Sequence, residues 1–171
     1  MSHSLYHLVN DLVEADHSYR DIKISGIKTD SNKVIPGDLF IAINGKNFDG
    51  HDFIEQAIYN GDSAIITNGR NIKIKQVPQI RVANTRKAVS HVSSKLFNNP
   101  SEDLIVIGIT GTNGKTTTSY LIANTLKKAG YRTAQIGTTG VIAEGLNQSK
   151  TLTTPDSVTL QKLFFQLKTS G

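Results

Sequence analysis

The residues from Gly108 to Thr117 combine glycines, a lysine and hydroxyl groups in a spacing that can hold a chain of phosphates. The segment reads Gly-Ile-Thr-Gly-Thr-Asn-Gly-Lys-Thr-Thr and lies between an apolar run and a segment with helical periodicity. Glycine lacks a Cβ atom, so the backbone can curl closely around phosphate oxygens. The amino end of the following helix adds free N–H groups and the positive end of the helix dipole. The segment therefore predicts a phosphate-binding loop for ATP.

Each type of residue in this loop has a predicted role. Lys115 is the predicted catalytic residue, reaching the β- and γ-phosphates, and the Thr116 hydroxyl is the predicted protein ligand of Mg²⁺. Ile109 stands where the common spacing of the motif has a glycine. The alternative is a glycine-rich helix cap with a surface lysine. The predicted ATP-binding residues are Gly111, Thr112, Asn113, Gly114, Lys115, Thr116 and Thr117.

The elements around the loop are predicted from hydrophobic patterning. The continuous apolar run 104–109 is typical of a buried parallel strand, and 116–129 has the pattern of a helix. A strand is predicted over 132–136, which implies a right-handed parallel crossover. We expect a hairpin or excursion over 140–152 and an amphipathic helix over 157–168.

The residues before the loop predict a second set of alternating strands and helices. Strands are predicted over 38–43, 63–67 and 79–82, from β-branched and aromatic enrichment bounded by turn signals. Helices are predicted over 52–59 and 85–97. This order indicates a small α/β domain.

The turn-forming cluster Asn98-Asn99-Pro100-Ser101 separates the two sets of elements. We therefore predict a first domain over 1–99 and a second over 100–171. The predicted fold class is α/β, with a small N-terminal α/β domain followed by the beginning of a P-loop parallel-sheet ATPase domain.

Composition excludes several classes of protein. The chain of 171 residues is 37% apolar and 19% charged, contains no cysteine and carries a net charge of +5. Thiolate metal sites and disulfides are excluded. The positive excess is spread out, so we expect no nucleic-acid partner. No apolar run approaches the roughly 18 residues that span a bilayer, and we see no secretory signal. We expect a cytoplasmic protein with no membrane insertion and no obligate protein partner.

Several motifs carry a resemblance to a known family. The segment 110–117, Thr-Gly-Thr-Asn-Gly-Lys-Thr-Thr, resembles the loop shared by Mur ligases and folylpolyglutamate synthases. Thr-Asp-Ser-Asn at 29–32 and Pro-Gly-Asp-Leu-Phe-Ile-Ala at 36–42 are similar to the N-terminal signature of the MurE and MurF branches. The signature continues from Asn-Gly at 44–45 through Asp-Gly-His at 49–51. Thr-Thr-Pro-Asp at 153–156 resembles a pattern typical of the MurE branch.

The resemblance implies a substrate site in the first domain. There the family holds the uridine diphosphate end of a UDP-N-acetylmuramoyl peptide. Two residues would contact the uridine, three would form a loop that helps to hold it, and two would meet the sugar-peptide part. These substrate-binding residues are, in that order, Thr29, Ser31, Lys46, Asn47, Phe48, Thr153 and Thr154. Asn32 and Leu152 depart from the family pattern, which has arginine and asparagine there.

The resemblance also implies an ATP-dependent amide-forming ligase of peptidoglycan synthesis. It would join L-lysine or meso-diaminopimelate to UDP-N-acetylmuramoyl-L-Ala-D-Glu through an acyl phosphate. The acids after Lys115 are Glu144 and Asp156, and neither ends a predicted buried strand, where such enzymes place a further magnesium ligand. We therefore expect an N-terminal fragment with little activity of its own. The alternatives are a MurF-type ligase fragment, a standalone module that binds nucleotide or UDP-sugar, and an unrelated P-loop NTPase.

Overall fold

In the computed structural model, the chain forms two compact units. The first unit is Met1–Asn98 and the second is Asn99–Gly171. Asn98 and Asn99 at the junction have positive φ angles of 58° and 47°, a conformation that asparagine tolerates better than most residues. The described residues are 1–45, 47–69, 76–144, 146–148 and 154–170, with the backbone alone described for 146–148.

Among its described residues, the first unit has six strands and three α-helices. The strands are β1 (His3–Ser4), β2 (Lys23–Ile24), β3 (Gly26–Lys28), β4 (Asp38–Ile41), β5 (Ala64–Thr67) and β6 (Gln79–Arg81). The α-helices are α1 (Leu5–Val9), α2 (Ile54–Tyr59) and α3 (Thr85–Leu96), and single 3₁₀ turns cover His17–Arg20, Ser31–Lys33 and Gly50–Phe53.

Four of these strands form one parallel sheet. Its order is β3-β4-β5-β6, and every neighbouring pair is parallel. In the register of the sheet, Leu39 lies opposite Ile27 on one side and Ala64 on the other. Strands β1 and β2 form a separate antiparallel pair. The predicted α/β class with a parallel sheet is confirmed in this unit.

The core of the first unit lies on the central strands. All residues of β4 and β5 are buried, as expected for parallel strands covered on both faces. Helix α3 contacts β3, β5 and α1, and the Asn84 side chain caps it by accepting the Lys87 N–H at 3.0 Å. A cluster of buried apolar side chains connects β4, α2 and β5; its members are Val34, Phe40, Ala42, Ile54, Ala57 and Ile65.

The described part of the second unit has two long helices and an antiparallel sheet. The elements are α4 (Lys115–Lys128), β7 (Ala134–Gly137), β8 (Gly140–Ala143), β9 (Leu146–Gln148) and α5 (Ser157–Thr169). Sheet order is β7-β8-β9, with both pairs antiparallel. Within the described ranges, no helix is both long and apolar enough to span a bilayer.

The parallel pair predicted for the second unit is wrong for the described residues. The run 104–109 belongs to no helix or strand, and Ile105 is 90% exposed. The strand predicted over 132–136 forms as β7, but it pairs with β8 as a hairpin. A parallel strand needs a hydrogen-bonded neighbour on its edge, and the described part of the chain places none beside 104–109.

Candidate nucleotide-binding sites

Predicted substrate-binding residues of the first unit follow the carboxyl ends of two neighbouring strands of the parallel sheet. Thr29 directly follows β3, and the loop after β4 contains Asn47 and Phe48. Because β3 and β4 are parallel neighbours, the segments that leave their carboxyl ends emerge at the same edge. Ligands of open α/β sheets bind outside the carboxyl ends of the strands. The geometry is that of a ligand-binding edge.

The segment after Thr29 is held by its own hydrogen bonds. The Asp30 carboxylate accepts the Asn32 N–H at 3.1 Å and lies 3.1 Å from the Lys33 ammonium. The Lys33 ammonium, followed by the Asn32 N–H, lowers the pKa of Asp30. Ser31 is only 4% exposed, and its carbonyl accepts the Asn60 Nδ2–H at 2.8 Å. Asp30 therefore acts as the N-cap of the short 3₁₀ turn that fixes Ser31.

A tight loop follows β4, and we call residues 44, 45 and 47–50 the β4 loop. The Gly45 N–H donates to the Phe48 carbonyl at 2.9 Å, and the Gly50 N–H donates to the Ile43 carbonyl at 2.8 Å. A Cβ atom on Gly45 would lie 2.7 Å from the Phe48 carbonyl oxygen, so this closed form needs glycine. Phe48 is 73% exposed and meets Phe53 edge to face at 6.4 Å. Lys46, which was predicted to bind substrate, lies outside the described residues.

A buried histidine supports the end of the β4 loop. The His51 Nδ1 lies 2.5 Å from the Asp49 Oδ1, and the His51 Nε2 accepts the Asn68 N–H at 3.4 Å. Acceptance at Nε2 assigns the proton to Nδ1, which donates to the Asp49 carboxylate. Because Asn68 follows β5, this ring connects the β4 loop to the end of the next strand.

In the second unit, the glycines of the predicted phosphate loop adopt the required backbone. Gly114 has a φ of +77° and is the N-cap of α4, and Gly111 has a φ of +154°. Gly114 has no side chain to cap the helix, so the first N–H groups of α4 remain directed outward. The aligned peptide dipoles make this end of a 14-residue helix electropositive.

Lys115 folds back over the loop. Its Nζ donates to the Gly111 carbonyl at 2.6 Å and, more weakly, to the Thr112 carbonyl at 3.4 Å. The ammonium thus stands within the curve of the loop beside the exposed Thr116. These groups fit a polyphosphate, with cationic and N–H donors and no carboxylate among the loop residues.

The residues present also fit a magnesium ion carried by that polyphosphate. The described ranges contain no group of three or more His, Asp or Glu side chains that could hold a metal. The exposed Thr116 hydroxyl at the start of α4 is the predicted protein ligand. Mg²⁺ commonly uses few protein ligands and takes the rest from substrate phosphates and water.

For the remaining predicted site residues, the structure gives position and exposure. Thr112, Asn113 and Thr117 are exposed around the loop. Thr154 is exposed before α5, whose N-cap is Asp156, accepting the Thr159 N–H at 2.9 Å. Thr153 lies outside the described residues.

Sequence reasoning missed Arg86 at the sheet edge. Its Nη2 donates to the carbonyl of Asn44 in the β4 loop at 2.9 Å. Nothing in the spacing of charges distinguishes this arginine from other surface cations. The contact joins positions 42 residues apart, so it becomes visible only in the fold.

Comparisons with known proteins agree with the geometry. Residues 23–96 match the family described as "Mur ligase family, catalytic domain" and residues 109–171 match "Mur ligase middle domain". The two matches together cover more than half of the chain. They include the sheet of the first unit and the phosphate loop with α4 and α5.

Individual relatives match both units. The chain is 40% identical over 149 residues to the UDP-N-acetylmuramoyl-L-alanyl-D-glutamate–2,6-diaminopimelate ligase of Halalkalibacterium halodurans, covering 86% of this chain and 30% of the relative. A solved ligase structure of the same description superposes with a TM-score of 0.74 at 26% identity, covering 100% of this chain and 34% of that one. MurF ligase from Thermotoga maritima, solved in complex with ADP, has a TM-score of 0.52 at 29% identity, covering 79% and 28%.

The chain thus spans about 30% of the length of the relative from Halalkalibacterium halodurans. Both family matches, and identities of up to 40% with ligases of one description, lead to the same assignment. The chain belongs to the Mur ligase family and corresponds to its N-terminal and middle domains.

Proposed function

We propose that the chain supplies the UDP-sugar-binding and ATP-binding parts of a MurE-type ligase. The ligase would add a diamino acid to UDP-N-acetylmuramoyl-L-Ala-D-Glu in peptidoglycan synthesis. The first unit would be the UDP-sugar-binding domain, within 1–99, and the second would be part of the central ATP-binding domain, within 100–171. The names of the relatives favour 2,6-diaminopimelate over lysine as the amino acid.

One observation carries the proposal. The chain has a glycine-rich loop with Lys115 folded over it and, in a separate unit, a polar sheet edge. A diaminopimelate ligase matches 86% of the chain. An ATP site alone would fit any P-loop NTPase. The additional sheet edge favours a ligase with two substrates bearing phosphates.

At the ATP site, Lys115 and the first N–H groups of α4 would hold the β- and γ-phosphates. Thr116 would ligate Mg²⁺, which supplies further neutralisation of the charge on the transferred phosphoryl group. The Lys115 ammonium would exchange the Gly111 carbonyl for a phosphate oxygen with little change in position. Thr112, Asn113 and Thr117 would line the same curve.

The proposed reaction has two steps. A carboxylate oxygen of the D-Glu residue attacks the γ-phosphorus, and the bond to the β-phosphate oxygen breaks to release ADP. The amine of the diamino acid then attacks the acyl carbon, loses a proton and expels inorganic phosphate. Binding the nucleotide end of the substrate at a fixed place restricts the position of its reacting carboxylate.

At the sheet edge, Thr29 and Ser31 would contact the uridine, and Asn47 and Phe48 would hold it from the β4 loop. The exposed Phe48 ring offers an apolar face for a base. The buried Ser31 offers a hydroxyl group, and hydrogen bonds of Asp30 and Asn60 fix the backbone that carries it. Lys46, Thr153 and Thr154 belong to the same proposed substrate site through the family resemblance.

Calorimetric titration with UDP-N-acetylmuramoyl-L-Ala-D-Glu tests the proposal. We expect the 171-residue chain to bind this ligand and Ser31→Ala to weaken binding roughly 5- to 10-fold, as the loss of one hydrogen bond implies. Ser93→Ala is the matched control, because Ser93 is also a buried serine of the first unit. Absence of binding by a folded sample, or equal losses in both variants, would contradict the substrate assignment.

A MurF-type ligase is the second candidate. Solved MurF structures from Acinetobacter baumannii are 30% identical to the chain over 75% of it, with a TM-score of 0.58. A MurF-type enzyme acts on a substrate whose peptide is one residue longer. Competition between the dipeptide and tripeptide forms distinguishes the two, and preference for the tripeptide would favour MurF.

A further inference from the structure

The β4 loop is closed from inside and is tied to the end of β5 through His51 and Asn68, whereas its start is held from another element. Its internal hydrogen bonds join Gly45 to Phe48 and Gly50 to Ile43. These contacts set the shape of the loop. Both Asn47 and Phe48 point to solvent at its tip, so the tilt of the loop decides where they stand relative to a ligand.

Arg86 provides a support from a different element. It is the second residue of α3, and its Nη2 donates to the Asn44 carbonyl at 2.9 Å. Asn44 is where the loop begins, paired with Asp49 in an isolated antiparallel bridge. A hydrogen bond at this position restrains the base of the loop.

Helix α3 is a rigid platform for this contact. Its 12 residues are capped by Asn84, and Ala88 and Val89, next along the helix, are buried against the core. The arginine stem therefore starts from a fixed backbone. Helix α3 follows β6, so it also begins at the carboxyl edge of the sheet.

We infer that Arg86 is a positioning residue that orients the β4 loop through the Asn44 carbonyl, so that Asn47 and Phe48 face the nucleotide end of the substrate. The inference rests on the proposed function for the identity of the ligand. The contact itself does not depend on any ligand. A direct contact between the Arg86 charge and phosphate oxygens is the competing explanation, and the test separates the two.

The first measurement is NMR-detected hydrogen exchange on the ligand-free 171-residue chain. We expect Arg86→Ala to speed exchange at the Gly45 and Gly50 amides by roughly 2- to 10-fold, the range for loss of one hydrogen bond. Lys87→Ala is the matched control, because it removes a positive charge from the next residue of α3. Wild-type exchange in Arg86→Ala would overturn the inference.

The second measurement is calorimetric binding of UDP-N-acetylmuramoyl-L-Ala-D-Glu. We expect Arg86→Ala to weaken binding roughly 3- to 10-fold, with unchanged affinity for Mg-ATP and an unchanged urea midpoint. Arg86→Lys, which keeps a donor and the charge, should recover part of the loss. A merely structural residue would shift the midpoint instead.

The two measurements distinguish failure of the positioning role from failure of the proposed function. If Lys87→Ala weakens binding as much as Arg86→Ala, general electrostatic attraction explains the effect and the positioning role is wrong. If the wild-type chain binds no UDP-sugar, the proposed function fails, and exchange at Gly45 and Gly50 still decides whether Arg86 orients the loop.

Discussion

The two units contrast in how completely they bury their apolar residues. In the first, Phe40, Ile65 and Ile66 are fully buried between helices and neighbouring strands. In the second, the buried apolar side chains among the described residues are Pro100, Ala123, Val141, Pro155 and Leu163, while Ile105 is largely exposed. The phosphate loop nevertheless has positive φ angles at Gly111 and Gly114 and leads directly into α4. A local motif can be encoded by glycines and one helix, whereas a parallel sheet needs partners.

Substituting one isoleucine in each unit tests this contrast most strongly. Ile65→Ala should lower the free energy of unfolding of its unit by about 2–5 kcal/mol, since it leaves a cavity beside Phe40. Ile105→Ala deletes the same atoms from an exposed site and should change stability by no more than about 0.5 kcal/mol. Urea denaturation measures both, and similar losses would contradict the different packing of the two units.

Removing Lys115 tests whether the loop functions independently of packing. Lys115→Ala should weaken Mg-ATP binding roughly 10- to 100-fold, because a charge-assisted hydrogen bond contributes about 1.5–3 kcal/mol. Lys128→Ala, at the other end of α4, removes the same charge away from the loop and serves as control. Calorimetry with Mg-ATP measures the effect. Unchanged affinity in Lys115→Ala would exclude the loop as the ATP site.

The buried carboxyl group of Asp62 offers a further test of the tight packing of the first unit. Asp62 is 5% exposed, and neither of its carboxylate oxygens has a hydrogen-bond partner among the residues that the structure describes. Burial raises its pKa to about 6. Protonation of Asp62 therefore makes its full contribution to the free energy of unfolding below about pH 4, near the usual pKa of an unfolded aspartate. This contribution is lost as the pH rises through about 6.

Relative to the wild type, Asp62→Asn should therefore be more stable at pH 8 than at pH 4 by about 3 kcal/mol, which corresponds to a pKa raised from about 3.9 to about 6. Urea denaturation across this pH range measures the difference. Asp52→Asn removes an exposed carboxylate from the same unit and should show a smaller pH dependence. A constant difference between wild type and Asp62→Asn at all pH values would contradict the burial of an ionisable group there.

Local patterns predicted many of the elements. The predicted helix 85–97 forms as Thr85–Leu96, and the helices predicted over 116–129 and 157–168 form as α4 and α5. Each has a 3.6-residue pattern and a stop or cap close by in sequence. The helix predicted over 52–59 begins as a 3₁₀ turn and becomes α2 at Ile54.

Features that depend on distant residues were less predictable. Strand β3 is three residues long and has no pattern of its own; its partner β4 defines it. The run 104–109 has the composition of a buried strand without a described partner. At the candidate site, the phosphate loop was visible because its residues are consecutive, whereas the Arg86–Asn44 and His51–Asn68 contacts join separate segments.

The run Leu104-Ile105-Val106-Ile107-Gly108-Ile109, exposed from Ile105 to Gly108, also affects solubility. It is six residues long, uncharged, free of proline and rich in β-branched side chains, the composition of segments that stack into cross-β fibrils. Glu102 and Asp103 immediately precede it and are exposed, as gatekeeper charges that oppose stacking commonly are. The solubility of this chain should therefore fall if Glu102 and Asp103, which pairs with Lys168, lose their charges.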